Sequence, residues 1–206
     1  MKKTIWVLIM AATVLTFAAC SKTGEQATGA CRIHGVATAP QLEGKKIFLV
    51  PLTGPQTMET VDSVVITGGR FEFTTDTAMM AKIIIDYHFR FGYQPLLVVT
   101  EPGDVQVVID TISSAKGTPQ NDSLQRWKVV TEEHNRQVGS LRKAGMKAQA
   151  DSVHLGYKKY TRRLADNMES GLLHDFLQSL YPLTYKKAMP DGSYIIINAD
   201  TNEEIK

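Results

Sequence analysis

The apolar residues of this chain change their repeat near Gly117, from every second position to every third or fourth. No single kind of secondary structure accommodates both repeats. Upstream, Cys31, Ile33 and Gly35 alternate with Arg32, His34 and Val36, and Phe71 and Phe73 share a face opposite Arg70, Glu72 and Thr74. Ile83, Ile85, Tyr87, Phe89 and Phe91 likewise alternate with Ile84, Asp86, His88 and Arg90. Turn residues divide these runs. Pro51 and Thr53-Gly54-Pro55 end the run at 47–52, and Glu101-Pro102-Gly103-Asp104 separates 96–100 from 105–110. Gly68-Gly69 is expected to join 62–67 to 70–75 as a hairpin, because paired glycines accept the positive φ of a type I′ turn.

Downstream, Leu124, Trp127, Val130, His134, Val138 and Leu141 fall on one helical stripe, with Asn121 or Asp122 placed to cap its start. A second helix is expected over 151–168, with Tyr157, Tyr160, Leu164 and Met168 on one side, and a third over 172–181, ended by Pro182. Residues 194–198 read as one more strand. The fold class is therefore β-rich α+β: an antiparallel β-sandwich of about seven strands followed by about three helices. The boundaries drawn are 31–118 for the sandwich, 119–187 for the helical segment, and 188–206 for a C-terminal strand and tail.

The N-terminus carries an address. Lys2 and Lys3 precede a mostly apolar run from 5 to 17, and Ala18-Ala19-Cys20 supplies the small-small-Cys arrangement of a lipobox, with Phe17 where Leu is usual. An apolar core too short to span a membrane comfortably, followed by small residues, reads as a signal peptide over 1–19. Cys20 is then the lipidation site, bearing acyl chains such as palmitate, and 20–30 is a polar tether. The residues after Cys20 lack an acidic cluster, which favours the periplasmic face of the outer membrane.

Composition excludes some functions. The formal charge of +2 belongs to Lys2 and Lys3, so the mature chain is neutral and has no general attraction to nucleic acid. Residues 121–187 nevertheless hold twelve Lys or Arg against seven Asp or Glu. Such an excess reads either as the solvated face of an amphipathic helix or as a contact for anionic lipids or envelope polymers. With Cys20 acylated, only Cys31 remains, so there is no CxxC and no dithiol to resolve a mixed disulfide. Cys31 on a strand reads as a buried, inert thiol.

Catalytic patterns are missing as well. No two of the five histidines stand three or four residues apart, and there is no GxSxG, HExxH or phosphate-cradling loop. His34 and His88 fall on polar strand faces, and His134 reads as a core-edge histidine. Glu132 and Glu133 are adjacent on a helix and point in different directions. The expectation is a non-enzyme with no cofactor and no metal. One short pattern does recur: Asp, then Ser or Thr, then a small or apolar residue, with its hydroxyls at Ser63, Thr77, Thr111, Ser123 and Ser152. It resembles the O-glycosylation acceptor of exported proteins in some diderm bacteria, although Asp-Ser and Asp-Thr also start turns and cap helices.

Ile33-x-Gly35, Asp62-Ser63 leading to Gly69-x-Phe71-x-Phe73, Pro102-Gly103-Asp104 and Gly117-Thr118 stand in a fixed order across 31–124. In this the strand half resembles a domain of unknown function that often precedes the thioredoxin-like domain of bacterial lipoprotein thiol–disulfide oxidoreductases. The resemblance implies a β-rich sandwich with a helical appendage in the cell envelope. Members with the redox domain carry a CxxC after the helices, and no CxxC stands there in these 206 residues. The function expected is a non-catalytic envelope lipoprotein, anchored to the membrane through Cys20, that binds another envelope protein, including a thioredoxin-like protein acting in trans. The alternative is a ligand- or glycan-binding lipoprotein using Tyr87, Phe89, Phe91 and Tyr93.

Overall fold

The structure, a computed structural model, describes residues 29–85 and 93–205. The signal segment, Cys20 and nearly all of the tether lie outside the described residues, as do Tyr87, His88, Phe89 and Phe91. A first sheet contains β1 (Cys31–Ala37), β4 (Arg70–Thr75), β7 (Gly103–Ile109) and β8 (Ser114–Lys116), in the order β4-β1-β7-β8. A second contains β2 (Lys46–Pro51), β3 (Asp62–Val65), β5 (Met80–Ile85) and β6 (Leu96–Val99), in the order β3-β2-β5-β6. Three helices follow: α1 (Pro119–Lys143), α2 (Lys147–Asp166) and α3 (Leu172–Leu180). A separate ribbon of β9 (Thr184–Ala188) and β10 (Tyr194–Asn198) closes the chain.

Among the described residues the fold is β-rich, with ten strands and three helices, and the first sheet mixes parallel and antiparallel pairs. Two expectations are corrected. The arrangement is not wholly antiparallel: β1 pairs with β4 antiparallel but with β7 in parallel, because β5 and β6 go to the other sheet before the chain returns beside β1. Nor do 62–67 and 70–75 form a hairpin. Gly68 and Gly69 do take positive φ, and Thr67 bridges Arg70, yet β3 pairs with β2 while β4 pairs with β1. The turn is a corner between sheets, pinned by the Glu43 carboxylate, which accepts the N–H groups of both glycines at 2.9 Å.

Alternation along the strands builds the layers. Ile33, Phe73, Val105 and Val107 of the first sheet meet Ile47, Leu49, Ile83, Leu96 and Val98 of the second in one core. The second sheet is covered on its other face too, where Met80 and Val99 pack with Leu124, Trp127, Tyr157, Leu173 and Leu177 from the three helices. Each such fully buried aliphatic side chain contributes about 1.5–3 kcal/mol of transfer free energy. The helical stripe read from sequence holds at Leu124, Trp127, His134 and Val138, whereas Val130 is exposed.

The start of α1 is held differently from the expectation. Pro119 opens the helix after an extended Thr118, but neither Asn121 nor Asp122 caps it. Glu101 does so from the loop before β7, accepting the N–H groups of Gln120 at 2.7 Å and Asn121 at 3.3 Å. Asp122 instead accepts the Gly117 N–H at 3.0 Å. Asn121 is fully buried and grips β6, accepting Val99 N–H at 2.9 Å and donating to Val99 C=O at 2.8 Å.

Candidate interaction surface

The C-terminal ribbon and its flanks leave several large apolar side chains exposed. All five residues of β9 are exposed, and β9 crosses the boundary at 187 drawn from sequence. In the register, Tyr194, Ile196 and Asn198 share a face with Ala188, Lys186 and Thr184, and Ile195 and Ile197 share the other with Lys187 and Tyr185. On the second face Ile197 is buried and Ile195 half-buried, while Tyr185 and Lys187 are exposed. On and beside the ribbon, Leu183, Tyr185, Met189, Tyr194, Ile196 and Ile205 are all exposed, Tyr194 to 67%. Large apolar side chains exposed along one short segment are a common feature of interaction surfaces.

The ribbon's two edges differ. Beside β10, the chain's own tail already lies as a short extra strand: Asn198 N–H donates to Glu203 C=O and Ile205 N–H to Ile196 C=O, both at 2.8 Å, and Ile197 bridges Glu204. Beside β9, no strand pairs among the described residues. Met189 N–H bonds Ser193 C=O and Ala199 N–H bonds Leu183 C=O, which sets the odd-numbered residues of β9 against β10. The backbone groups of Thr184, Lys186 and Ala188 therefore face outward.

One polar contact fastens the ribbon to the helices. Arg162 of α2 pairs with Asp200 just after β10, with both side chains largely buried, and also donates to Tyr181 C=O at 3.4 Å. The Arg162 hydrogen bond holds the Asp200 carboxyl below its usual range, helped by the charges of Lys158 and Lys159. The expected basic excess thus has a structural use at Arg162. Lys159 and Arg163 on α2, with Lys186 and Lys187 on β9, remain exposed.

Two further features lie on the helical side. A cleft of about 210 Å³ between α1 and the edges of the two sheets is lined by Leu97, Leu124, Trp127, Gln125, Lys128 and Glu132. Beside it, His134 of α1 and His154 of α2 meet with Nε2 and Nδ1 3.2 Å apart. Tyr157 stacks on the His134 ring at 4.0 Å, and Asn135 accepts from His134 Nδ1 at 3.1 Å. Sequence spacing within one helix has no means of showing this pair, since the two rings stand on facing helices.

The residues singled out from sequence do not converge. Ser63 on β3, Thr77 between β4 and β5, Thr111 between β7 and β8, and Ser152 in α2 are exposed at separate places. Ser123 is half-buried and accepts a hydrogen bond from Arg126 at 2.9 Å. Tyr93 packs against the core between the sheets and accepts from Gln41 at 3.1 Å; it is not among the residues that line the cleft. Cys31 is buried at the start of β1, and burial, with Glu101 and Asp104 nearby, pushes its thiol up to about 11. His34 lies on the solvent face of the first sheet between Glu72 and Asp104, 3.2 Å from each. Among the described residues, no group of three or more His, Cys, Asp or Glu is arranged to hold a metal. No helix among them is long and apolar enough to cross a membrane.

Residues 31–124 match the family model of a domain of unknown function, DUF4369. The match covers both four-stranded sheets and the first turn of α1 and ends before the rest of the helices and the ribbon. No curated protein and no solved structure matches the chain.

Proposed function

We propose that this chain is a non-catalytic envelope lipoprotein, held to a membrane through acylated Cys20, whose C-terminal ribbon docks another protein. The observation that carries the reading is the ribbon: six large apolar side chains stand exposed on and beside it, next to an unpaired strand edge. The lipobox at Cys20 supports attachment to a membrane, and the lack of an acidic cluster after Cys20 favours the periplasmic side of the outer membrane. The sequence resemblance supports a thioredoxin-like protein, acting in trans, as the first partner to seek. Exposure of Ser63, Thr77, Thr111 and Ser152 supports O-glycosylation there, and the Ser123–Arg126 contact counts against it at Ser123. The test is covalent crosslinking of the native anchored protein in cells, with mass spectrometry of what is captured and of the chain itself. A recurrent envelope partner supports the reading. Absence of any partner at native abundance overturns it.

A second reading, a ligand- or glycan-binding lipoprotein, is favoured by the cleft beside Trp127, where an aromatic edge meets Gln125, Lys128 and Glu132. Quenching of Trp127 fluorescence by a saccharide panel, weakened in the cleft variant Glu132→Gln, supports that reading. A flat response removes it.

A further inference from the structure

We infer that the open edge of β9 takes up an extended, acidic segment of a partner protein as an added strand, an inference that rests on the docking role just proposed. Three observations converge on this mode and this chemistry. The first is the edge itself: Thr184, Lys186 and Ala188 present their backbone N–H and C=O groups outward, with no strand opposite among the described residues. Unpaired ladder groups on an apolar ribbon call for another backbone, which a lipid surface has no means of supplying in register.

The second is the opposite edge. There the chain's own Glu203-Glu204-Ile205, an acidic and apolar run, already lies along β10 through two backbone bonds of 2.8 Å and a bridge. The ribbon therefore accepts such a segment on one side, and its free side has the same backbone chemistry.

The third is charge. Lys186 and Lys187 stand on β9, and the exposed Lys159 and Arg163 lie on α2, which is fastened to the ribbon through Arg162 and Asp200. An antiparallel pairing of two β9 strands centred on the outward-facing Lys186 would set Lys186 directly against the Lys186 of the second copy, and like charges directly opposite are destabilising. The same lysines favour a strand bearing Glu or Asp. Specificity thus comes from repulsion of the self-pair together with attraction of the acidic one.

The experiment uses the full chain and a synthetic peptide of about eight residues, a common strand length, with alternating Glu and Val. A Lys/Val peptide and vesicles of anionic phospholipid serve as comparisons. Amide exchange followed residue by residue shows Thr184, Lys186 and Ala188 exchanging rapidly in the free protein. The acidic peptide protects these three amides, and the Lys/Val peptide does not. Lys186→Pro abolishes the protection by removing one outward N–H, while Tyr185 and Lys187 keep theirs as a sign that the ribbon is intact. Lys186→Glu with Lys187→Glu keeps the edge and weakens binding roughly tenfold, the effect of about 1.4 kcal/mol. Equal binding of both peptides, binding unchanged in Lys186→Pro, no protection by the acidic peptide, or binding of vesicles alone each overturns the inference. A partner crosslinked in cells through another face, with no peptide protection at β9, would overturn this inference and leave the docking role standing.

Discussion

Two single residues explain much of how the strand half is specified. A Cβ on Gly35 would come within 2.0 Å of the Phe71 ring, which lies across β1 at the paired position on β4. The repeated glycine and phenylalanine of the sequence pattern are therefore one contact, a ring seated over a bare backbone. Gly35→Ala is expected to lower stability by about 1–3 kcal/mol through overpacking, read as a shift in the urea midpoint. Gly35→Ala combined with Phe71→Leu should recover part of that loss, whereas independent sites would simply add. Asn121 is the second such residue. Its replacement by Ala strands the N–H and C=O of buried Val99 together, a loss of about 2–4 kcal/mol. An unchanged midpoint in Asn121→Ala would show that water or Thr118 replaces the amide. Neither role was legible in the sequence, where Asn121 read as a helix cap. Nothing local shows that Glu101, 20 positions earlier, already holds that amide.

At the scale of elements, α1 and α2 carry a built-in response to acid. Burial, then the positive charges of His134, Lys158 and Arg142, holds His154 below its ordinary value of 6.5, with Asp151 opposing. The folded chain thus resists a proton that the unfolded chain accepts. The His154 contribution to stability is complete above 6.5 and is lost as pH falls from there through the depressed value. His34 acts in the other direction. Hydrogen bonds to Glu72 and Asp104 raise it, so its contribution is complete below 6.5 and is lost as pH rises through the raised value. Urea midpoints measured from pH 5 to 7 separate them: His154→Gln removes a loss on acidification, and His34→Asn removes a gain. Identical slopes in wild type and His154→Gln would take the pair out of this account. The helices were legible because their period is local and sustained, and the observed ends lie within a few residues of those expected. β9 was not, because Thr184–Ala188 is polar, short and exposed on both faces, which leaves no alternation to read.

For the whole molecule, the second sheet is the middle of three layers, and its two faces serve two separate cores. The helices are therefore not an appendage in the energetic sense, since removing them would bare Met80 and Val99 to water. Leu177→Ala, at a fully buried position of α3, is expected to cost about 2–5 kcal/mol and to shift the unfolding of strands and helices together. Two resolved transitions, with the strands unaffected, would mean that the layers unfold independently. Sequence periodicity identified both halves but not this sharing, because alternation records which residues turn inward and not which layer they meet. It was equally blind to the crossing at Gly68-Gly69, where a local turn signal is correct and the strands on either side still part company. The position of β1 has a mechanical consequence. Between β4 and β7 it is gripped along both edges, so a pull on the chain just before Cys31 runs parallel to the strand. Such a load falls in shear on both ladders at once, rather than peeling one bond at a time, and the first sheet resists it as a unit.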